Sequence, residues 1–470
     1  MKVKLEEVER YERPMTLRLP FRFGVITVTE GVQAVIRVRV SLPDGRSCQG
    51  VAAEALAAKW FEKSPEYTDD QNLDQLRQSL DIAIGHYKAF GAATPFGLFA
   101  GTYRDQQKKG AALRLNPLVA SYGPALLDRA ILDALGKATG NSFAQMIAQN
   151  MPGIAATNLT PDIDQLELAA FLAGLKPAST IELRHTVGLV DPLTAGDRTP
   201  MERINDGLPE TLEEVVSYYR GRYYKLKVGG NIKADLDRLT RIASVLDGRL
   251  PDYCATLDGN EQYDEVEGII ELWRKVAEEP KLARLVKSTL FIEQPIKRAV
   301  ALSRSIEELG KLRPVIIDES DGELSSFPTA LTLGYVGVSS KNCKGFYKSI
   351  LNASRVAKLG AGYFMSAEDL TTLPGVSVQQ DLALVSLLGM THVERNAHHF
   401  VNGMSFASEF EQRAFLRAHG DLYEKRDDHP VRLKASGGKI ALGSLAVPGF
   451  AVGAEMDFRT MTPRVSGVTT

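Results

Sequence analysis

With 470 residues, 44% hydrophobic and 24% charged, the chain is long enough for two domains or one α/β barrel with additions, and its composition is ordinary for a globular protein. A formal net charge of -2 leaves no basic footprint for nucleic acid or for an anionic membrane surface, so neither is expected as a partner. Three scattered cysteines (Cys48, Cys254 and Cys343) argue against a disulfide framework or a cysteine-rich zinc site. No apolar run approaches the ~18 residues of a membrane span, and Met1 to Tyr11 lacks the apolar core of a secretory signal. A cytoplasmic protein is expected.

The predicted elements begin with two strands, Val25 to Thr29 and Ala34 to Val40, parted by a turn at Glu30-Gly31 and followed by a second turn at Pro43-Asp44-Gly45. Helical periodicity follows over Leu73 to Ala89 and Pro124 to Ala138, and then a polar stretch from Met151 to Pro177. This is a small α+β unit. From Ile181 the texture changes. Short apolar runs recur at Ile181–Val187, Tyr223–Lys227, Ala255–Asp258, Leu290–Glu293, Val315–Asp318, Gly337–Lys341, Gly362–Ser366 and Thr391–Glu394. Amphipathic stretches lie between them: Ala234–Leu246, Glu265–Ala277, Ala299–Leu309, Tyr347–Leu359 and Val378–Leu388. Strand-helix alternation implies a parallel sheet, and eight runs without a GxGxxG favour a closed barrel. Strand texture returns at Lys439–Leu442 and Val452–Phe458. The expected organisation is a capping domain over 1–178, a barrel over 179–400, and a C-terminal segment over 401–470 that completes the cap.

Polar residues close these apolar runs. Lys225-Leu226-Lys227 ends the second, Asp258-Gly259-Asn260 the third, Glu293-Gln294-Pro295 the fourth, Asp318-Glu319-Ser320 the fifth and Lys341 the sixth. From Lys227 through Asp258, Glu293, Asp318 and Lys341 the gaps are 31, 35, 25 and 23 residues. A barrel of ~250 residues gives about 31 per unit, so these residues recur once per unit at the carboxyl end, the face on which such barrels carry their chemistry. Three carboxylates converging on one rim need a cation, and hard oxygen ligands suit magnesium, with manganese as the substitute. Alternation along a strand puts Lys225 and Lys227 on one face, while Lys341 approaches from four strands away.

This set suits removal of the weakly acidic proton next to a carboxylate. A divalent ion stabilises the enediolate as charge develops. A lysine beside that ion and beside a second ammonium is pushed toward its neutral, basic form.

The motifs K-x-K, D-x-N, E-Q-P, D-E-S and a later lysine, in this order and spacing, resemble the enolase superfamily, in particular its muconate-lactonising subgroup within the mandelate racemase/muconate lactonising enzyme family. The resemblance is specific from about Ile181 to Glu394 and weaker at the ends, where Leu127-Asp128 through Gly136-Lys137 and Gly437-Gly438 through Pro448-Gly449 take part. It implies an α/β fold: a modified TIM-type (β/α)7β barrel under an α+β capping domain built from the N-terminal segment and the C-terminal tail. It implies Asp258, Glu293 and Asp318 as magnesium ligands, and Lys227 and Lys341 as the acid/base pair. By the same resemblance Lys225 and Glu394 contact a small carboxylate substrate, Asn260 and Glu319 support the ligands, and the cap supplies specificity from Phe21 to Ile26 (Phe21 and Phe23 among them) and from Glu54 to Trp60. Relatives usually associate, so a homo-oligomer is expected.

Several positions depart from the family pattern. The seventh run ends in Ser366-Ala367-Glu368-Asp369 with no histidine, which argues against a Lys/His pair. The eighth has Glu394-Arg395-Asn396 in place of the Asp-x-Asp of dipeptide epimerases. Lys344 rivals Lys341, which is preferred because it ends the apolar run. His185, His398 and His399 are either pocket residues or satisfied interior histidines, and adjacent residues such as the last two do not readily share one ion. Taken singly, a Lys-x-Lys is a solvated face and an Asp-Glu-Ser a helix cap; five such elements in register make the functional reading. The net reaction stays open between a racemase, epimerase or cycloisomerase with two lysine acid/bases, a lyase or dehydratase using the same site, and a non-catalytic barrel that retains its metal. Amino-acid derivatives, sugar acids and aromatic acids are equally compatible substrates.

Overall fold

The computed structural model describes residues 1–24 and 26–464. The chain opens with an antiparallel sheet of β1 (Lys4–Phe23), β2 (Ile26–Ser41) and β3 (Ser47–Ala55). The turn expected at Glu30-Gly31 is absorbed into β2, where Glu30 pairs with Thr16 and Gly31 with Met15. The chain reverses instead near Gly24, whose φ of 51° is the left-handed conformation glycine accepts. Val25, expected to begin a strand, lies outside the described residues.

Four helices follow: α1 (Ala58–Phe61), α2 (Asp69–Phe90), α3 (Pro95–Ala112) and α4 (Pro117–Thr139). Thr68 and Gln71 form a capping box at the start of α2. Asn116 caps α4, and Gly140 ends it in the left-handed conformation. Helix α4 is apolar on most of its surface because it is sandwiched between the cap sheet and the barrel. Its approach to β3 is so close that a Cβ on Gly50 would fall 2.1 Å from the Ala130 carbonyl oxygen.

The barrel consists of β4 (Thr180–Val187), β5 (Tyr223–Lys227), β6 (Cys254–Asp258), β7 (Thr289–Glu293), β8 (Val315–Ile317), β9 (Gly337–Ser340), β10 (Phe364–Ala367) and β11 (His392–Arg395). All neighbours are parallel, and β11 closes onto β4 through pairs such as Val393 with Leu183. The helix expected over Ala299–Leu309 is two short pieces, Arg298–Ala301 and Glu307–Gly310. The Ser303-Arg304-Ser305 stretch separates them, the Ser305 hydroxyl accepting from the Glu307 amide.

The C-terminal strands divide between the two bodies. A short hairpin of β12 (Tyr423–Glu424) and β13 (Arg432–Leu433) precedes β14 (Lys439–Ala441), which runs antiparallel to the start of β4, while β15 (Thr462–Pro463) joins β1. Val452–Phe458, expected as a strand, is irregular, and donors in and beside it go elsewhere: the Phe450 amide to Asp133 and the Gly453 amide to His419.

The β1–β2 hairpin leans over the barrel mouth and is anchored there. Met15, Leu17, Leu19 and Phe21 form an apolar cluster with Leu373, Ala397, Phe400 and Val401. The rings of Phe21 and Phe400 lie 4.6 Å apart. Arg18 reaches across to Asp206 and to the Leu208 and Pro209 carbonyl oxygens.

Candidate active site

Side-chain alternation along β5 turns Tyr224 and Leu226 outward and Lys225 and Lys227 into the barrel. Lys227 donates to Asp258 at 2.5 Å, at the end of the next strand. Lys225 lies deeper. Its Nζ is 2.9 Å from Asp258, 2.8 Å from Glu293, 2.7 Å from Glu368 and 3.0 Å from Glu394. Across the barrel Lys341 donates to Asp318 at 2.5 Å, and its Nζ sits 4.3 Å from the centroid of the Trp60 ring, supplied by the cap. The strand order places β5 and β9 four positions apart in an eight-strand ring, so Lys227 and Lys341 come from opposite sides.

The three motif turns brace one another. Gln294 of the E-Q-P motif accepts from the Asp318 and Ser320 amides through its side-chain oxygen, which fixes the D-E-S turn. Gly259 of D-G-N passes so near Pro295 that a Cβ would stand 2.7 Å from its Cα. Asn260 donates its backbone amide to Asp258 and its side-chain amide to Glu319. Lys63 of the cap pairs with Glu319 and Glu261. Arg298 clamps Glu261 while donating to the Trp60 and Phe61 carbonyl oxygens, pinning α1 over the mouth.

The electrostatics follow from burial against pairing. Burial pushes the Asp258 carboxyl up, but Lys225 and Lys227 outweigh it and hold it below its ordinary value. Asp318 is likewise held low by Lys341 and Lys344 against its burial. Glu293 goes the other way: burial, then the charges of Asp258 and Glu368, push it well above 4.5 despite Lys225. Lys225 and Lys341 are both held above the ordinary lysine value, the acids around them outweighing burial. Glu394 stays well below the ordinary carboxyl value, because Lys225, Lys227 and Lys341 outweigh its burial.

Among the described residues, no three acidic, histidine or cysteine side chains close around a common point as a finished metal cage; amino groups lie between the carboxylates instead. The donor set nevertheless suits a hard divalent cation. Asp258, Glu293 and Asp318 are fully buried. Glu293 Oε2 has no well-directed hydrogen bond, although Lys225 is near, and Asn260 Oδ1 and Glu319 Oε2 are also buried without partners. Asp258, Glu293, Glu368 and Glu394 surround Lys225, Asp258 also meets Lys227, Glu368 meets Arg184, and Asp318 meets Lys341 and Lys344.

A cavity of about 630 Å³ lies between cap and barrel. Lys225, Lys227, Lys341, Asn260 and Glu394 border it from the barrel, and Phe21, Phe23 and Trp60 from the cap. Lys344 does not border the cavity; it contacts the Asp318 carboxylate, Ser339 and Asp321. His185, on the outward face of β4, packs with His398 and His399, its Nδ1 3.1 Å from His398 Nε2. Arg184 and Glu368, inward on β4 and at the end of β10, were not singled out from the sequence; the rule that selects polar residues at strand ends applies equally to Glu368. Lys63, Glu261 and Arg298 lie in loops, and nothing local in the sequence marks them.

No protein-family model matches the chain, and no curated protein sequence matches it. Solved structures do. A dipeptide epimerase from Enterococcus faecalis, complexed with Mg and the dipeptide L-Leu-L-Tyr, superposes with a TM-score of 0.61 at 13% identity over 96% of this chain and 99% of that one. A second Enterococcus faecalis protein, described as an unknown member of the enolase superfamily, gives 0.60 at 14% over 99% of each. The chain has the enolase-superfamily fold. A third neighbour with this fold, 2-chloromuconate cycloisomerase from Rhodococcus opacus, gives 0.61 at 14% over 97% of this chain and 98% of that one. The cavity lies where the cap meets the carboxyl ends of the barrel strands. No helix among the described residues is long and apolar enough to cross a membrane.

Proposed function

We propose that this protein removes the proton α to the carboxylate of a small substrate, with Lys227 and Lys341 as acid and base on opposite faces. The observation that carries the reading is the pair itself: two buried lysines from strands facing each other across the barrel, both bordering one cavity and each held by its own aspartate. Asp258, Glu293 and Asp318 would hold Mg2+, for which Mn2+ is the natural substitute. When bound, the ion supplies the charge that stabilises an enediolate. The remaining work belongs to the chain. Asp258 and Asp318 hold the two amines in place. Lys225 adds positive charge for the substrate carboxylate. Glu394, held ionised, offers an acceptor to a substrate N–H or O–H group. Trp60 and the hairpin exclude water from the reacting carbon.

A second reading rests on Lys341. Asp318 and the Trp60 ring both favour its ammonium form, which suits a cation that steadies an intermediate or a leaving group, as in a lyase, with Lys227 as the sole base.

Solvent exchange tests both. A panel of α-substituted carboxylates is offered in deuterated water with magnesium, and the α-proton is followed by NMR. Exchange from both enantiomers supports two bases. Exchange from one, with loss of a leaving group, supports the lyase. No exchange with any acid, in protein that still binds magnesium, overturns the proposal in favour of a non-catalytic barrel.

A further inference from the structure

Trp60 and Lys341 meet across the boundary between cap and barrel, yet the segment carrying the indole cannot hold itself in place. Helix α1 has four residues and no side-chain cap at its start, too short to be stable alone. A helix leaves its last four carbonyl oxygens unpaired, here including those of Trp60 and Phe61. The cap supports the segment by packing. The Trp60 ring meets Phe61 edge-on at 5.0 Å, Phe61 meets Tyr122 at 5.4 Å, and Asn116 donates to the Phe61 carbonyl oxygen at 2.9 Å. The barrel supports it through Arg298, which donates to the Trp60 and Phe61 carbonyl oxygens at 2.8 Å each. Glu261 fixes that guanidinium in turn. It accepts from Nε and Nη2 at 2.8 Å each and from the Arg298 amide at 2.7 Å.

This clamp grows out of the turns that carry two of the candidate metal ligands. Glu261 follows the D-G-N motif after β6, and Arg298 follows E-Q-P after β7. Asn260, Glu261 and Gln294 all adopt left-handed conformations, with φ of 39°, 68° and 33°. Residues other than glycine keep such conformations where the surrounding structure over-determines them, commonly at working sites. We infer that Arg298 and Glu261 are positioning residues for Lys341 that act through Trp60; this rests on the reaction proposed above. The Asp318 carboxylate and the indole together restrict where the flexible lysine chain can place its amine. Lys227 draws its hold from Asp258, inside the barrel. Loosening the clamp therefore disturbs one of the two faces.

The test uses the full chain with magnesium, carrying Trp273→Phe so that Trp60 is the remaining tryptophan of the two. Trp273 is buried among barrel residues, with Arg313 over its ring. Arg298→Met is expected to move the Trp60 emission to longer wavelength and open it to acrylamide. Exchange is followed with whichever acid of the panel above reacts fastest, offered as each enantiomer. The enantiomer lost in Lys341→Ala should slow about 10²-fold in Arg298→Met, the scale of a roughly 1 Å misplacement. The other enantiomer, and magnesium affinity by calorimetry, should hold. Arg298→Lys should not restore the loss, because a compact ammonium cannot span a carboxylate and two carbonyl oxygens. Added to Trp60→Leu, Arg298→Met should cost little more, since the ring through which it acts is gone. Glu261→Gln, the gentler change, should give the same signs at about tenfold, and it decides the question if Arg298→Met does not fold. Equal loss on both faces, an unmoved emission, or a full further loss in Trp60→Leu overturns the inference and leaves a staple between cap and barrel. No exchange of any acid by the unsubstituted protein sinks the reaction instead; an emission shift in that case keeps the clamp on the ring and removes its consequence for Lys341.

Discussion

The ammonium of Lys341 rests 4.3 Å from the centroid of the Trp60 ring, so a barrel residue and a cap residue together define one wall of the cavity. The ring favours the charged form of the amine. Replacing Trp60 with leucine keeps an apolar side chain at the site and removes that preference. The pH-rate limb belonging to Lys341 should then move toward acid by about one unit. An unmoved limb would show that the ring contributes only shape.

The two lysines should fail separately. Lys227→Ala and Lys341→Ala are each expected to lower α-proton exchange about 10²- to 10⁴-fold. If the roles are split by face, each variant loses exchange of one enantiomer while the other persists. Full activity in both variants rejects the assignment.

Glu293 carries a cost that a cation would relieve. Its carboxyl is buried beside Asp258 and Glu368 and is pushed well above its ordinary value. Glu293→Gln replaces this unfavourably placed carboxyl with a neutral amide, so the metal-free protein should become more stable, by about 1–2 kcal/mol. Magnesium at 100 times its Kd should stabilise the unsubstituted protein by about 2.7 kcal/mol and the Gln variant by much less. Thermal melts with and without the ion measure both effects. A loss of stability in metal-free Glu293→Gln would count against the crowded-acid picture.

The histidine cluster behind β4 predicts acid sensitivity. Burial drives His185 down from 6.5 to about 3, Glu394 opposing only weakly, and it drives His398 and His399 well below 6.5, with the neighbouring histidines and Arg18, Arg395 and Arg432 adding to the effect. A base whose folded value is depressed gives its full contribution to stability above 6.5. Below that pH the unfolded chain takes up protons that the folded chain refuses, so stability falls. For His185 alone the loss is about 2 kcal/mol at pH 5. Denaturant titrations at pH 7 and pH 5 should show the drop, and His185→Gln should shrink it. An equal drop in the variant would place the titrating group elsewhere.

The barrel was legible because its strands are short apolar runs and its chemistry is confined to their ends. Tyr223–Lys227 was read to the residue, and the same logic leads from Asp258 to Lys341 along the strand ends that border or support the cavity. The cap was less legible. Glu30-Gly31 reads as a turn in isolation, but a ladder with Thr16 and Met15 overrides the local preference. Helix α3 carries Gly97, Gly101 and Gly110 with little apolar periodicity, and takes its place from the neighbours it packs against. Lys63 and Arg298 act through contacts spanning 198 and more positions, as Lys63 to Glu261 and Arg298 to Trp60 show, and no local pattern encodes such pairings.

The anchored hairpin bears on how this scaffold acquires new preferences. A flap that swings must balance open and closed populations, and each exchange of its side chains disturbs that balance. The β1–β2 ribbon instead stands on its own foundation of Leu17, Leu19, Phe400 and Val401, and Arg18 rivets it to the loop at Asp206. Ile26, which borders the cavity without joining that cluster, can therefore be exchanged while the frame beneath it keeps its position, and ligand choice can change with little disturbance of catalytic geometry.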